Sequence, residues 1–468
     1  MRESALDAPP TFQHIKASRA FSKDVNKLSK IMEGSRLNAR VPLLVVCCTG
    51  LIVIAVFVYL PFSFAPLSRA EPGAVVETSL ARAAAALPSP SVAPPPTLDA
   101  AVWLAVRGEE PEGHGFLIET LDGRRTFASH NADTGFNPAS LLKLATSLVS
   151  LRKLGAGHRF ETRIFVNGKI DSAGVLNGNV YAAGGDPTFG DVAAGMIARE
   201  LRARGINKIN GDVVVTPDFC FNYSESPEES AQRLARVMKL GQTERQAKVG
   251  AAPAGAGSPL FVFRSYPLSN VLLYMNSHSN NFVADRLAGL SGGPEGVRQF
   301  LIHELNIPDD QVRITMASGR QSNLLTPRGV LKVIRALSDE VTRHGLKLED
   351  VMPVMSDDYG TLRRRLEGTP LDGAALAKTG TLPTEIDGGM ASLAGIINTQ
   401  DTGVIAFALL DRGGDIGWHR QMQDELLLEI IAPHDLPLAI PIEAPRQLLS
   451  PSALSVDPQV GTPADTTR

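Results

Sequence analysis

The chain has 468 residues, of which 44% are hydrophobic, and a formal net charge of −3 at pH 7. This length exceeds one ordinary domain, and the hydrophobic fraction is sufficient for a packed core. The slightly acidic balance gives no electrostatic basis for binding nucleic acid, which is therefore not expected as a partner. Cys47 and Cys48 lie in an apolar N-terminal run, so Cys220 is left without a partner for a disulfide framework.

The first predicted element is a transmembrane anchor at residues 41–61. The run 41–60 contains no charged residue, and about 20 apolar residues are enough to span a bilayer. A cleavable signal peptide has a shorter apolar core of about 7 to 15 residues and a short lead. Here the lead is residues 1–40, and its excess of basic residues predicts a cytoplasmic segment. We therefore expect a single-pass protein of the inner (cytoplasmic) membrane, with the folded domain outside the cytoplasm.

Two segments rich in proline and small residues flank the predicted folded part. Residues 62–98 are rich in Ala, Pro and Ser, a composition that favours a partly extended linker. Residues 441–468 are similarly rich in Pro and Ser and are predicted to be a disordered tail. The folded domain is therefore expected at residues 99–440.

The folded part begins and ends with predicted strands. Strands are expected at 101–107 and 115–120 near its start, at 391–397 and 404–410 near its end, with a helix at about 418–431 after them. These strands bracket a helical middle. The pattern favours an α/β (α+β) fold, in which an antiparallel sheet with flanking helices joins a helical subdomain and the site lies at their junction.

The first chemical motif is Ser140-Leu141-Leu142-Lys143, an SxxK string. Residues three apart share one face of a helix, so Lys143 is expected within reach of the Ser140 hydroxyl as its base. The apolar pattern that follows predicts a helix that Gly155 closes, with Ser140 near its start. The positive end of the helix dipole disfavours a protonated Lys143. A helix N-cap is the alternative role for Ser140.

A small α/β insert is predicted at about residues 160–258, between the first and second motifs. Its expected elements are strands at 160–166, 175–182 and 211–215 and helices at 192–204 and about 230–240. Only 139 positions separate Ser140 from Ser279.

The second motif, Ser279-Asn280-Asn281, precedes a predicted helix at 282–287. A polar turn that caps this helix is the alternative interpretation. The site residues expected from this motif are Ser279 and Asn281.

The third motif is Lys378-Thr379-Gly380-Thr381, in a predicted strand at 374–381. A solvated lysine on an edge strand is the alternative, but Gly380 favours close approach of a ligand or of backbone. The three motifs in this order are typical of a penicillin-binding, serine-acylating enzyme.

No motif indicates a metal ion or cofactor. The nine histidines include no HExxH pair, and no Cys/His spacing supports zinc. Asp357 and Asp358 are adjacent and point apart, so a solvated turn is expected there rather than a paired-carboxylate site.

From residue 99 to 432 the chain resembles the D-alanyl-D-alanine carboxypeptidase/endopeptidase family of low-molecular-mass penicillin-binding proteins. The shared strings beyond the three motifs include 137–140 (NPAS), 184–187 (GGDP), 318–319 (SG), 360–363 (GTLR) and 377–382 (AKTGTL). The resemblance implies a penicilloyl-serine-transferase/β-lactamase-like fold without a cofactor. It further implies peptidoglycan stem peptides as substrates, from which the terminal D-alanine is cleaved, and β-lactam antibiotics as covalent inhibitors. Because the family usually carries a larger insert, contacts to a second, cross-linked peptide are expected to be reduced.

The resemblance also implies roles for the motif residues. Ser140 is expected to be the nucleophile, Lys143 its base, and Ser279 a proton relay that Lys378 tunes. The backbone N–H groups of Ser140 and Thr381 are expected to form the oxyanion hole.

Substrate binding is expected from the second and third motifs. Asn281 should hydrogen-bond the peptide backbone, and Lys378, Thr379 and Thr381, with Gly380 between them, should bind the terminal carboxylate. Two alternatives stay open, namely a penicillin-binding wall-associated protein that has lost turnover, and a β-lactamase.

Overall fold

The computed structural model describes residues 98–252, 258–431, 435–442 and 446–457. The chain divides into two units, Met1–Ser91 and Val92–Arg468, and all described residues belong to the second. The predicted cytoplasmic segment, the anchor at 41–61 and nearly all of the predicted linker lie outside the described residues. Within the described ranges, no helix combines the length and apolar character needed to cross a membrane.

The described elements are numbered here in chain order. The α-helices are α1 (Ala100–Val106), α2 (Leu142–Leu154), α3 (Asp191–Ala203), α4 (Pro227–Met238), α5 (Leu268–His278), α6 (Asn281–Gly289), α7 (Gly293–Leu305), α8 (Pro327–Arg343) and α9 (Ile416–Ile431). The strands up to the second motif are β1 (His114–Thr120), β2 (Thr126–His130), β3 (Arg159–Val166), β4 (Lys169–Ile170), β5 (Val175–Asn177), β6 (Val180–Ala183), β7 (Lys208–Ile209), β8 (Val213–Val215), β9 (Ala247–Val249) and β10 (Phe261–Pro267). The remaining strands are β11 (Val312–Arg313), β12 (Leu324–Leu325), β13 (Ala375–Leu382), β14 (Met390–Asn398), β15 (Val404–Arg412) and β16 (Ser455–Asp457).

A five-stranded antiparallel sheet joins the two ends of the folded part in the order β13-β14-β15-β1-β2. Helices α1 and α9 cover one face, where the side chains of Trp103, Phe407 and Leu427 share a buried cluster. Helix α8 and the 3₁₀ turn at 139–141 lie against the other face. The prediction of an antiparallel sheet from N- and C-terminal segments with flanking helices is confirmed.

The strand predicted at 101–107 is wrong, because this segment forms helix α1. Asp99 caps the helix, since its Oδ1 accepts a hydrogen bond from the Val102 N–H over 3.1 Å. Ala100, Trp103 and Leu104 then share the buried face. A short apolar run has no period that separates a strand from a buried helix, so the cap and the packing decide.

The helical subdomain is built around α2, in which residues 142–151 are all buried and only the last three residues reach the surface. Helices α5, α6, α7 and α8 contact it. Gly155 ends this helix in the left-handed region, with φ +81°, as the sequence predicts.

The region between the first two motifs forms a second sheet in the order β16-β10-β3-β6-β8-β9, with α3 and α4 packed together beside it. The single strand predicted at 175–182 is instead two. The chain bends at Gly178 between them, where a Cβ would lie 1.9 Å from the carbonyl oxygen of Asn167, so only glycine fits. Strand β5 therefore pairs in a small sheet β4-β5-β7, whereas β6 joins the larger one.

The disordered tail predicted at 441–468 is wrong for residues 446–457. Strand β16 pairs antiparallel with β10, and Leu448 and Leu454 are buried. Arg446 forms an ion pair with Asp358, and its Nε lies 2.9 Å from Asp358 Oδ1. Asp358 is 1% exposed, so the solvated turn expected there is also wrong. Composition averages over these few apolar and charged contacts and therefore misses them.

Candidate active site

The turn that carries Ser140 is held from three directions. Residues 139–141 form a 3₁₀ turn directly before α2, and Ala139 has φ +49°. Asn137 Oδ1 accepts a hydrogen bond from the Ala139 N–H over 3.0 Å, and its Nδ2 donates to Asp387 over 2.6 Å. A Cβ on Gly319 would lie 2.0 Å from the Ala139 carbonyl oxygen, so only glycine fits there. The half-buried Ser140 thus has a defined position at the start of the helix.

Lys143 lies where the offset of three predicts. Its Nζ donates to Ser140 Oγ over 2.8 Å and to Asn281 Oδ1 over 2.8 Å, and it also contacts the Ser318 carbonyl oxygen. The side chain is fully buried. Burial lowers the pKa of Lys143 to about 7, against an opposing effect of the Asp285 charge. An amine with this pKa is substantially neutral at pH 7 and can take a proton.

Ser279 ends helix α5 with φ +53°, and its Oγ accepts a hydrogen bond from Lys378 Nζ over 2.9 Å. The capping role that the alternative interpretation gave to this motif belongs to Asn280, whose Oδ1 accepts from the Val283 N–H over 3.0 Å. Asn281 therefore begins α6 with its side chain directed to Lys143. In this turn Asn280 caps the helix, while Ser279 and Asn281 contact the two lysines of the site.

Lys378 is fully buried although β13 is an edge strand, so a solvated lysine is the wrong interpretation. Its Nζ also donates to the Thr379 carbonyl oxygen over 2.6 Å. Burial, and then the charge of Lys143, hold the pKa of Lys378 well below its usual value. Two amines in one buried site disfavour each other's charged form.

Gly380 lets β13 pack directly on the turn of the first motif. A Cβ there would lie 2.1 Å from Ser392 Oγ and 2.9 Å from the Pro138 carbonyl oxygen. Ser392 Oγ donates to this same carbonyl over 3.0 Å. The glycine at position 380 is therefore explained by the close approach of the backbone at Pro138.

The threonines of the third motif face different partners. Thr379 Oγ1 donates to Thr361 Oγ1 over 2.8 Å, and the Thr361 N–H donates to the Ser277 carbonyl oxygen over 2.9 Å. Thr381 is exposed, and Arg420 donates to its Oγ1 over 2.8 Å. The structure thus places all eight predicted site residues, Ser140, Lys143, Ser279, Asn281, Lys378, Thr379, Gly380 and Thr381, around the junction of α2, the α5–α6 turn and β13.

Sequence reasoning did not identify Asp285 as part of this site. Its Oδ1 accepts a hydrogen bond from the Ser318 N–H over 2.8 Å, which fixes the residue whose carbonyl contacts Lys143. Asp285 follows Asn281 by four positions on α6, and residues four apart share one helix face. That spacing was the available signal. Arg420, on α9, had no signal in the sequence.

The arrangement is suited to nucleophilic chemistry. A hydroxyl beside a neutral amine, Ser140 with Lys143, is the pattern of an activated nucleophile. A second hydroxyl–amine pair, Ser279 with Lys378, lies in the same site and can move a proton. No metal ion is needed for either step.

Comparisons with known proteins agree with this chemistry. A family model described as D-Ala-D-Ala carboxypeptidase 3 (S13) matches residues 104–227 and 224–427. D-alanyl-D-alanine carboxypeptidase DacB of Haemophilus influenzae is 34% identical to the chain over 108 residues, which are 22% of the chain. The alignment spans only 22% of the length of that curated relative.

Two solved structures from Bdellovibrio bacteriovorus have a similar fold. The predatory endopeptidase Bd0816 has a TM-score of 0.61 at 21% identity, covering 73% of this chain and 99% of its own. The penicillin G-acylated predatory endopeptidase Bd3459 has a TM-score of 0.60 at 21% identity, covering 73% of this chain and 98% of its own. At this identity they show that the fold is shared.

Proposed function

This chain belongs to the D-Ala-D-Ala carboxypeptidase 3 (S13) family, and from that premise we propose that it is a serine-type D-Ala-D-Ala carboxypeptidase acting on peptidoglycan stem peptides. The observation that carries the proposal is the 2.8 Å hydrogen bond between Lys143 Nζ and Ser140 Oγ. A serine hydroxyl needs a base within hydrogen-bond reach to become a nucleophile. A Lys143 with a pKa of about 7 supplies that base at neutral pH.

In the proposed reaction, Ser140 Oγ attacks the carbonyl carbon of the penultimate D-alanine while Lys143 takes the hydroxyl proton. The bond to the terminal D-alanine then breaks, and Ser279, hydrogen-bonded to Lys378, passes a proton to the leaving amine. The N–H groups of Ser140 and Thr381 stabilise the negative carbonyl oxygen, each by about 3 to 4 kcal/mol. Water hydrolyses the ester on Ser140 and releases the shortened peptide.

Substrate recognition is proposed to use the remaining motif residues. Asn281 hydrogen-bonds the peptide backbone, and Lys378, Thr379 and Thr381 bind the terminal carboxylate. Charge-assisted hydrogen bonds of this kind contribute about 1.5 to 3 kcal/mol each. A β-lactam antibiotic carries a carboxylate and a reactive carbonyl, so it would acylate Ser140 in the same position.

Release of D-alanine from a defined pentapeptide tests the proposal directly. Purified full-length protein should release D-alanine, and the Ser140→Ala variant should release none. Covalent penicillin labelling without D-alanine release would instead indicate a penicillin-binding protein that has lost turnover. Hydrolysis of penicillin in preference to the peptide would indicate a β-lactamase.

Endopeptidase activity on cross-links is proposed to be the weaker activity. The short separation of 139 positions between Ser140 and Ser279 leaves less chain to contact a second peptide. Losing two contacts at about 1 to 1.5 kcal/mol each lowers the rate some thirty-fold or more. With pentapeptides and cross-linked dimers at equal concentration, trimming should be faster than dimer cleavage. Dimer cleavage at a comparable rate would overturn this preference.

We further propose that residues 41–61 form an uncleaved transmembrane anchor and that the catalytic domain lies outside the cytoplasm. The support is the uncharged run 41–60 and the basic lead before it. Membrane fractionation followed by N-terminal sequencing tests this topology. A mature N-terminus near residue 70 would show that the span is removed.

A further inference from the structure

Three side chains from distant parts of the sequence meet beside the C-terminal end of β15. Glu109 comes from the loop after α1, His114 begins β1, and His419 lies in the first turn of α9. One carboxylate oxygen and one ring nitrogen from each histidine all lie within 4.8 Å of one another. His114 and His419 are 2% and 1% exposed. Two imidazoles and a carboxylate are a donor set that zinc binds in proteins.

Only one of the two distances from Glu109 to the histidines fits a hydrogen bond. Glu109 Oε2 lies 3.0 Å from His114 Nε2 and 3.7 Å from His419 Nε2. The longer distance is beyond a hydrogen bond. Ligands of a tetrahedral zinc ion with bonds of about 2.0 to 2.1 Å lie roughly 3.3 Å apart. Binding an ion would draw the two imidazoles together from a separation of at most 4.8 Å.

His419 is a buried imidazole whose Nδ1 has no hydrogen-bond partner among the described residues. Its other nitrogen, Nε2, lies on the Glu109 side and is the atom that would bind an ion. The backbone leaves room at Nε2, because a Cβ on Gly414 would lie 2.9 Å from it. Gly414 has φ +61°, which further favours glycine there.

Neighbouring side chains orient two of these three groups, His114 and Glu109. Asp411 Oδ1 lies 2.8 Å from His114 Nδ1, and Gln423 Nε2 donates to Asp411 Oδ2 over 2.7 Å. When His114 Nδ1 donates to Asp411, the lone pair of its Nε2 faces Glu109. Zinc-binding histidines characteristically donate their other N–H to a carboxylate in this way.

The ligating carboxylate is also oriented. Trp418 Nε1 donates to Glu109 Oε1 over 2.6 Å, which leaves Oε2 directed toward the two histidines. Trp418 and His419 are adjacent on α9, so one helical turn supplies both a ligand and the group that orients another ligand. Hydrogen-bonded carboxylate ligands are typical of protein metal sites.

We propose that Glu109, His114 and His419 form a zinc-binding site that ties the α1–β1 loop, β1 and α9 together. A water molecule at the partly exposed Glu109 would complete four-coordination. Arg420, the residue after His419, contacts Thr381 of the third motif. An ion bound to His419 would therefore also fix the first turn of α9, which carries Arg420. The ligands are five and 305 positions apart along the chain. This spacing matches no zinc motif, which explains why the sequence predicts no metal.

The competing state is a metal-free one. A protonated His114 between Glu109 and Asp411 would satisfy both carboxylates without any ion. That state gives His419 no bonding role. Zinc binding that depends on His419 therefore distinguishes the two.

The test uses the full chain in detergent after EDTA treatment, titrated with ZnCl₂ and analysed for bound metal by mass spectrometry. One zinc ion per chain is expected, with at least tenfold weaker binding in His419→Gln and in Glu109→Gln. His303→Gln is the matched control, since His303 is exposed on α7 and should keep wild-type binding. Mg²⁺ should not compete, because it prefers oxygen ligands. Circular dichroism checks that each variant is folded.

Two results would overturn the proposal. One is wild-type zinc stoichiometry in both folded variants, and the other is no zinc bound by the wild-type protein, which would leave a protonated ion network. If the variants do not fold, the absorption spectrum of the wild-type protein with Co²⁺ in place of zinc tests the site instead. A visible absorption spectrum of four-coordinate cobalt is expected, and its absence would overturn the site.

Discussion

Lys378 donates a hydrogen bond to Ser279 Oγ over 2.9 Å and thereby joins the middle of β13 to the end of α5. The two residues are 99 positions apart and belong to different parts of the fold, the five-stranded sheet and the helical subdomain. Neither part contains both groups. The second hydroxyl–amine pair of the site therefore exists only when the sheet and the helices are packed together.

A fluorescent penicillin is expected to label the protein covalently at Ser140. Labelling should disappear in Ser140→Ala, because the other serine of this site with an amine in reach, Ser279, ends a helix, whereas Ser140 lies at a helix start. Intact mass spectrometry measures the adduct. Ser129→Ala, an exposed serine on β2, is the matched control and should label normally. An adduct on Ser140→Ala would contradict the assignment.

The rate of acylation should rise with pH through about 7. Burial lowers the pKa of Lys143 to about 7, and only the neutral amine can take the Ser140 proton. Below that pH the amine is protonated and each further pH unit should lower the rate about tenfold. Single-turnover penicillin acylation between pH 5 and 9 gives the profile. A rate that is flat across this range would exclude Lys143 as the titrating base.

Replacing Asp285 with asparagine should move this pH profile to lower pH. The Asp285 charge raises the pKa of Lys143 against the larger effect of burial, so its loss leaves the lysine more easily deprotonated. An asparagine oxygen can still accept from the Ser318 N–H, so the geometry is retained. Asp285→Ala should lose both effects and lower the maximal rate as well.

Acylation rates measured across pH separate the two roles of Asp285. Asp339→Asn removes an exposed carboxylate on α8 and should leave the profile unchanged. A profile for Asp285→Asn that shifts to higher pH would contradict the electrostatic effect.

Removing Arg446 should destabilise the domain. Its guanidinium pairs with Asp358, which is 1% exposed, so Arg446→Ala leaves a buried carboxylate without its cation. Breaking one side of a buried ion pair costs about 3 to 5 kcal/mol. Denaturant unfolding of the variant measures the loss. Arg446→Ala combined with Asp358→Asn should recover part of it, and equal stability of all three proteins would show that the pair contributes nothing.

Local chemistry along the chain was sufficient to predict the catalytic motifs. An offset of three on a helix brings Ser140 and Lys143 together whatever surrounds them, since helix geometry alone sets that distance. Likewise, continuous apolar runs were enough to predict β14 and β15, because strands covered on both faces need no polar alternation. The antiparallel sheet from both chain ends followed from these elements.

Predictions that depended on distant partners were the ones that the tertiary structure changed. Helix α1 was misassigned because seven apolar residues have no distinguishing period until Asp99 caps them and the sheet covers Trp103. The tail at 446–457 is ordered because Asp358 and β10, both remote in sequence, supply its partners.

The sequence by itself determined the candidate groups, namely Ser140, Lys143 and the two later motifs, because residue type fixes which hydroxyls and amines are available and helix geometry fixes the offset of Ser140 and Lys143. Only the tertiary structure decided their electrostatics. Burial lowers the pKa of both lysines, and burial is a property of the whole packed domain and not of any short segment. The cluster of Glu109, His114 and His419 also depends on tertiary packing, because three separate segments must pack together before these side chains come within 4.8 Å of one another.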